Sequence, residues 1–367
     1  MSSRLVDLYN ATGQSAWLDN LQRSYLTTKY LDDLVDQGVR GLTSNPTIFQ
    51  KAIQDSSDYD DQFFSELRSG LTSSQAYWKL VMTDIIGASD VFMPMYEQSA
   101  GIDGYVSVEV DPRLARDTAG TIVAARELRL AINRPNVMIK IPGTMEGLPA
   151  ITQMVSEGCP VNVTLIFSLE RYAQVIEAFL CGLEDRLANG LPLGNVHGVA
   201  SFFISRVDSE IDSRLHKSSH LDAHTLLGTA AINQAKIAYE LFTQFFSGAR
   251  WERLQSHGAV LQRPLWASTS TKNPQYRDTM YIDELIGPHT VNTIPEPTMH
   301  AFIDHGHVEV TIDKDLANAK NQWGQLLDCG IDVVEVAQQL EQEGLASFVK
   351  SFDDLMESLR LKAQEAQ

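Results

Sequence analysis

Lys140 stands inside the apolar run NVMIKIPGT, and Glu109 inside VSVEV. Stripping water from either charge costs several kcal/mol, so lysine and glutamate are seldom buried unless paired. A lysine in such surroundings has a chemical use. Its neutral amine can attack a carbonyl and form a protonated imine, a far better electron sink than the parent ketone. Other polar residues break apolar runs in the same way. Asp19 closes AWLD, Asn45 closes GLTSN, Asn162 and Thr164 alternate in VNVTLIF, and Ser201 opens SFFI with Arg206 following. Taken singly, each has an ordinary explanation: Glu109 and Lys140 as a structural ion pair, Asn162, Thr164 and Ser201 as partners for backbone groups at strand ends. Their recurrence on successive apolar segments points to one polar site assembled from several elements.

The elements that carry them are short β-rich runs, expected at 16–20, 41–45, 105–110, 137–141, 161–167, 198–204, 264–269 and 289–294. Several are apolar nearly throughout, as in VMIKI and VASFFI, which suits parallel strands covered on both faces. Helical stretches alternate with them. One is expected over 26–37, ending at Gly38; another starts at Thr72 or Ser73; a third follows Asp111-Pro112; a fourth is capped by Ser168 and ends near Gly190. This alternation predicts a closed (β/α)8 barrel, on which catalytic groups sit at the C-terminal strand ends. An open doubly wound sheet would carry a glycine-rich turn after its first strand, and none is present. A barrel takes about 250 residues, so the chain is read as one domain over 1–367, with extra helices in the long intervals 46–104 and 205–263 and a helical or frayed C-terminal extension over 297–367.

The net charge of −18 argues against nucleic acid or an anionic membrane as partner, so an anionic substrate needs a local basic pocket. Three scattered cysteines, Cys159, Cys181 and Cys329, form no CxxC pair and fit a reducing compartment. No apolar signal core opens the sequence and no apolar run reaches membrane-span length, so a cytoplasmic location is expected. The sequon Asn162-Val-Thr164 lies in an apolar run and reads as a chance match.

From about residue 13 to residue 310, the segments GLTSNPTIFQKAI, VSVEVDP, NVMIKIPGT, VNVTLIFS and SFFISRVD resemble, in order, the strand motifs of transaldolases. The likeness is closest to a longer bacterial form that opens with a segment like GQSAWLDNLQR and that also has a stretch similar to TVNTIPEPT. The resemblance implies a class I aldolase barrel with its Schiff-base lysine on the fourth strand, where Lys140 falls in the count above. It further implies Asp19 as general acid/base, Glu109 as proton relay and Thr164 as the holder of its water. Asn45, Asn162 and Ser201 would bind the donor sugar, and Arg206 a phosphate. The shorter transaldolases carry a second phosphate arginine on the seventh strand. Here that stretch reads WASTSTKNP, and Lys272 is the nearest cation. The implied reaction moves a dihydroxyacetone unit between sugar phosphates in the pentose phosphate pathway, by a monomer or homodimer, with no metal or organic cofactor.

Other readings compete with this one, among them a Schiff-base aldolase that releases free dihydroxyacetone. A metal-assisted enzyme rests only on His220/His224 and His305/His307, which lie in polar sequence away from strand ends. A barrel that only binds sugar phosphates needs no buried proton relay, which Asp19, Glu109 and Lys140 together would form. The charged stretch SRVDSEIDSRLHK after Arg206 reads as a solvated helix face, Gly101-Ile-Asp-Gly104 as a turn, and Trp17 and Trp266 as core or pocket wall.

Overall fold

A computed structural model describes residues 3–365. Eight parallel strands close on themselves in sequence order: β1 Ser15–Leu18, β2 Gly41–Thr43, β3 Tyr105–Glu109, β4 Val137–Pro142, β5 Val161–Ile166, β6 Gly198–Phe203, β7 Gln262–Ala267 and β8 Val291–Ile294. Pairing of β1 with β8, from Ser15 opposite Val291 to Leu18 opposite Ile294, seals the barrel. Every strand residue is buried, as a sheet wrapped by helices requires. Among the described residues, no helix is long and apolar enough to cross a membrane.

Six of the eight strands end one or two residues earlier than the hydrophobic pattern predicts, β4 runs one residue further and β8 ends as expected. Asp19 lies one residue past β1. Asn45 lies beyond β2 and caps the helix Pro46–Gln54, its side chain accepting from the Ile48 amide at 3.0 Å. Proline at the first helical position, preset in φ and without an N–H to lose, sharpens that start. Ser168 caps the helix Leu169–Ala188, and Thr72 with Gln75 forms a reciprocal capping box on the helix Ser73–Gln98.

Two expected helices are divided. The helix expected over 26–37 is two short ones, Arg23–Thr27 and Tyr30–Asp36, separated by Lys29 at φ 63°. The helix after Asp111-Pro112 is a single 3-10 turn, Pro112–Leu114; the long helix Thr118–Ile132 starts later, where Asp117 caps the Gly120 amide.

Over the described residues the C-terminal extension is helical. It comprises the helices Glu296–His305, Leu316–Asp328 and Val333–Glu365. The last buries Leu340, Leu345, Phe348, Phe352, Leu355 and Leu359 against the helices Pro46–Gln54 and Ser73–Gln98 and against the mouth of the barrel. At about 1.5–3 kcal/mol per buried large apolar side chain, this face is what holds the extension in place.

The stretch after Arg206 also differs from the solvated face expected of it. Asp208 and Asp212 are buried and hydrogen-bonded to groups from other elements.

Candidate active site

Register places the first polar row. Glu109 on β3 stands opposite Lys140 on β4, which stands opposite Asn162 on β5. Thr164 comes two residues later on the same face, and Ser201 lies on β6 beside them. Beyond Thr164 the β5 register shifts and Leu165 adopts φ 60°, a left-handed conformation that a branched side chain enters only when its surroundings impose it. Gly344 of the C-terminal helix lies directly over this bulge. A Cβ added there would meet the Leu165 side chain at 3.0 Å.

Asp19, Asn45, Lys140, Thr164, Ser201, Arg206 and Lys272 all line one cavity of about 130 Å³ at the C-terminal mouth. Glu109 and Asn162 lie one layer away. Glu109 borders a small adjoining gap beneath Asn45 and Phe352. Asn162 is engaged at both ends of its amide, donating to Ser107 Oγ at 3.0 Å and accepting from Ser201 Oγ at 2.7 Å. Asn162 therefore supports Ser201 from below and does not face the cavity itself.

Lys140 is 5% exposed, and its Nζ lies 3.2 Å from Glu109 Oε2 and donates to the Ser44 carbonyl at 3.2 Å. The Glu109 contact is close enough for an ion pair but poorly aligned, and neither carboxylate oxygen has a well-directed hydrogen-bond donor among the described residues. Burial raises the Glu109 carboxyl above its ordinary value of 4.5, and Lys140 only partly offsets this. Burial likewise raises Asp19 above its ordinary 3.8, against Lys140, the Thr43 hydroxyl and Lys272. Thr43 Oγ1 donates to Asp19 Oδ1 at 2.9 Å and is itself 2.6 Å from Thr293 Oγ1, so β2 holds the carboxylate that follows β1 and β8 backs the threonine. Arg206 opens the helix after β6 and Lys272 follows β7; both edge the cavity mouth. Burial, the positive Arg206 and the positive Lys51 lower Lys272, while Asp19 opposes them. Two cations thus face one opening on a chain whose net charge is −18.

The sequence reading did not include Thr43, Ser44, Ser107, Thr293 or Phe348. Ser107 stands two residues before Glu109 and Thr293 sits inside VNTI, so period-two spacing held a signal for both. Phe348 had none. It lies more than 140 residues of chain beyond Arg206, on the C-terminal helix, yet its ring lines the cavity with its centroid 5.8 Å from Lys140 Nζ. The histidines of the metal reading are elsewhere: His305 pairs with Asp278 and Asp304 on an exposed surface, and His220 accepts from the Asp222 amide.

A family described as Transaldolase/Fructose-6-phosphate aldolase matches residues 16–359. The chain belongs to that family. The match takes in most of the C-terminal helix and so includes Phe348. A protein named Transaldolase from Parafrankia is 48% identical over 362 residues, covering 98% of this chain and 98% of its own length. Transaldolase 1 from Streptomyces avermitilis is 47% identical over 349 residues, 95% of this chain and 92% of its own, and a transaldolase from Trichodesmium erythraeum is 43% identical over 376 residues, 100% and 99% respectively. With such relatives end to end, the chain is a transferase of the transaldolase/fructose-6-phosphate aldolase family.

Proposed function

We propose that this transaldolase-family enzyme moves a dihydroxyacetone unit from a ketose phosphate such as sedoheptulose 7-phosphate to glyceraldehyde 3-phosphate, through an imine on Lys140. The observation that carries this reading is Lys140 buried at the cavity floor, 3.2 Å from a carboxylate whose proton affinity is raised, with a second such carboxylate across the same cavity.

The Lys140 amine attacks the ketose carbonyl. Glu109, able to hold a proton because burial disfavours its charge, serves the loss of water from the carbinolamine, with the Thr164 hydroxyl as neighbour. Asp19 takes the proton from the C4 hydroxyl as the C3–C4 bond breaks, and the bonding electrons pass into the imine to give an enamine. The aldose phosphate leaves, a second one enters, and the enamine carbon attacks its aldehyde while Asp19 returns the proton; water then adds to the imine so formed, and collapse of the carbinolamine frees the ketose product and the Lys140 amine. Asn45 and Ser201 are placed to hydrogen-bond the retained hydroxyls, with Asn162 supporting Ser201. Arg206 and Lys272 receive the phosphate of whichever aldose is present. The cavity of about 130 Å³ suits the three-carbon portion, with the phosphate end at the mouth. Phe348 roofs the imine and limits access of water to the enamine.

Three unpaired cysteines support a reducing, cytoplasmic setting. The family description spans transfer and simple aldol cleavage; the relatives at 43–48% identity are named for transfer, which favours it here.

Borohydride reduction with fructose 6-phosphate should trap one adduct, mapped by mass spectrometry to Lys140. Lys140→Ala should lose transfer by about 10⁴-fold or more, as removal of a covalent nucleophile does. Transfer that persists in the variant, or an adduct on another lysine, ends the proposal.

A further inference from the structure

Helix Ser205–Leu215 begins beside Arg206 and carries Asp208 and Asp212 four residues apart on one buried side. Each carboxylate joins two other elements. Asp208 accepts from the Ala231 amide at 2.7 Å and from the Tyr281 hydroxyl at 2.7 Å. Asp212 accepts from the Gly228 amide at 2.9 Å and from the Tyr276 hydroxyl at 2.5 Å. Both tyrosines belong to the segment between β7 and β8, which also carries Lys272. Three residues separate Lys272 from Tyr276, and a turn from Asn273 to Tyr276 makes that span short and stiff.

Gly228 gives Tyr276 its seat. It has φ 70°, and a Cβ there would come within 2.7 Å of the tyrosine ring. At the other end of the segment the Ser205 amide donates to the Ser268 carbonyl at 3.0 Å, and the two hydroxyls lie 2.8 Å apart. Lys272 is therefore held between two anchor points on the helix that presents Arg206. Lys272 is itself an exposed lysine on an irregular loop, its Nζ donating to Ser270 Oγ at 2.7 Å, and it borders an open cleft of about 460 Å³. Such a side chain has many rotamers to lose before it can hold an anion.

We propose that Asp212 and Tyr276 are positioning residues for phosphate recognition: their hydrogen bond fixes the loop so that Lys272 faces Arg206 across the mouth of the cavity. Neither residue touches the reacting atoms; both act through Lys272. The inference rests on the reading of Lys272 and Arg206 as the phosphate-holding pair.

The test compares D-glyceraldehyde 3-phosphate with unphosphorylated D-glyceraldehyde as acceptors. Tyr276→Phe should raise KM for the phosphorylated aldehyde by about 2- to 10-fold, the range carried by one net hydrogen bond. It should leave kcat, and KM for D-glyceraldehyde, unchanged. Asp212→Ala should do the same, and Asp212→Asn, which can still accept from Gly228 and meet the tyrosine hydroxyl, should recover most of the loss. Lys272→Ala should show the same phosphate-selective rise, and adding Tyr276→Phe to it should change nothing further. Equal effects on both aldehydes, a fall in kcat, or full additivity of the two variants would make the bond merely structural and overturn the inference while leaving the phosphate pair intact. An unchanged KM in Lys272→Ala would instead overturn the phosphate reading of Lys272, and the inference with it. Tyr276→Phe removes only a hydroxyl, so it keeps the test open if an Asp212 variant does not fold.

Discussion

At the N-terminal end of the barrel, Asp103 accepts from Arg40 at 2.7 Å, Arg263 at 2.9 Å, Ser15 at 2.9 Å and Trp17 at 3.4 Å. At the C-terminal end, Glu109 has one lysine at 3.2 Å and no aligned donor. Both carboxylates are buried, and burial pushes both upward. For Asp103, Arg263 and then Arg40 more than cancel that push and hold the carboxyl below its ordinary 3.8; for Glu109, Lys140 does not, and the carboxyl stays above 4.5. The contrast separates, by satisfaction, a structural charge cluster from the one proposed to react. A fully paired carboxylate has given its acceptor capacity to the fold, whereas an underpaired one keeps capacity for a proton in transit.

The sharpest way to break this comparison is kinetic. Glu109→Gln should lower kcat by about 10² to 10⁴, the range of a positioned acid or base, and Asp19→Asn should do likewise. Asp103→Asn should leave kcat near its starting value in whatever fraction folds. A kcat loss in Asp103→Asn equal to that in Glu109→Gln would show that pairing does not distinguish the two ends.

Stability should show the reverse. Asp103→Ala leaves the buried Arg263 and the half-buried Arg40 short of their partner and should cost about 3–5 kcal/mol in denaturant unfolding. The double change Glu109→Gln/Lys140→Met removes both charges at the other end and should leave stability unchanged or improved by about 1–4 kcal/mol. A double variant that unfolds as easily as Asp103→Ala would mean the upper pair is structural too.

The smallest effect is the pH dependence, whose sign differs between the ends. Asp103 is lowered in the folded state, so its stabilisation is complete above its ordinary 3.8 and is lost as pH falls through the folded value. Glu109 is raised, so its contribution is present below 4.5 and is lost as pH rises through the folded value. Each tenfold change in proton affinity is worth about 1.4 kcal/mol. Measured from pH 4 to pH 8, stability relative to Glu109→Gln should therefore fall with rising pH. A flat or rising difference would contradict the raised affinity.

The polar residues inside apolar runs were legible in the sequence, because a lysine in VMIKI or a glutamate in VSVEV breaks a pattern set by burial alone. Alternation of strand and helix was legible for the same reason. Less legible were positions where two local rules compete. Asp19 and Asn45 sit past their strands because caps and turns claim the last residues, and Lys29 divides a continuous helical pattern. Asp208 and Asp212 look like any charged helix face; their burial depends on Tyr276, Tyr281 and two backbone amides brought in from more than fifteen residues away. Asn162 has the right spacing to face a cavity, yet Ser107 and Ser201 occupy its amide.

By itself the sequence determined the barrel class, the strand that carries Lys140 and the identities of the acids nearby, since hydrophobic periodicity and the cost of burying charge act locally along the chain. Only the tertiary structure decided which acceptors remain unfilled, how Lys272 is held opposite Arg206, and that Phe348 of the last helix closes over the lysine. Those outcomes depend on packing between segments far apart in sequence, where distance and alignment in space, and not residue type, set the energy of each contact.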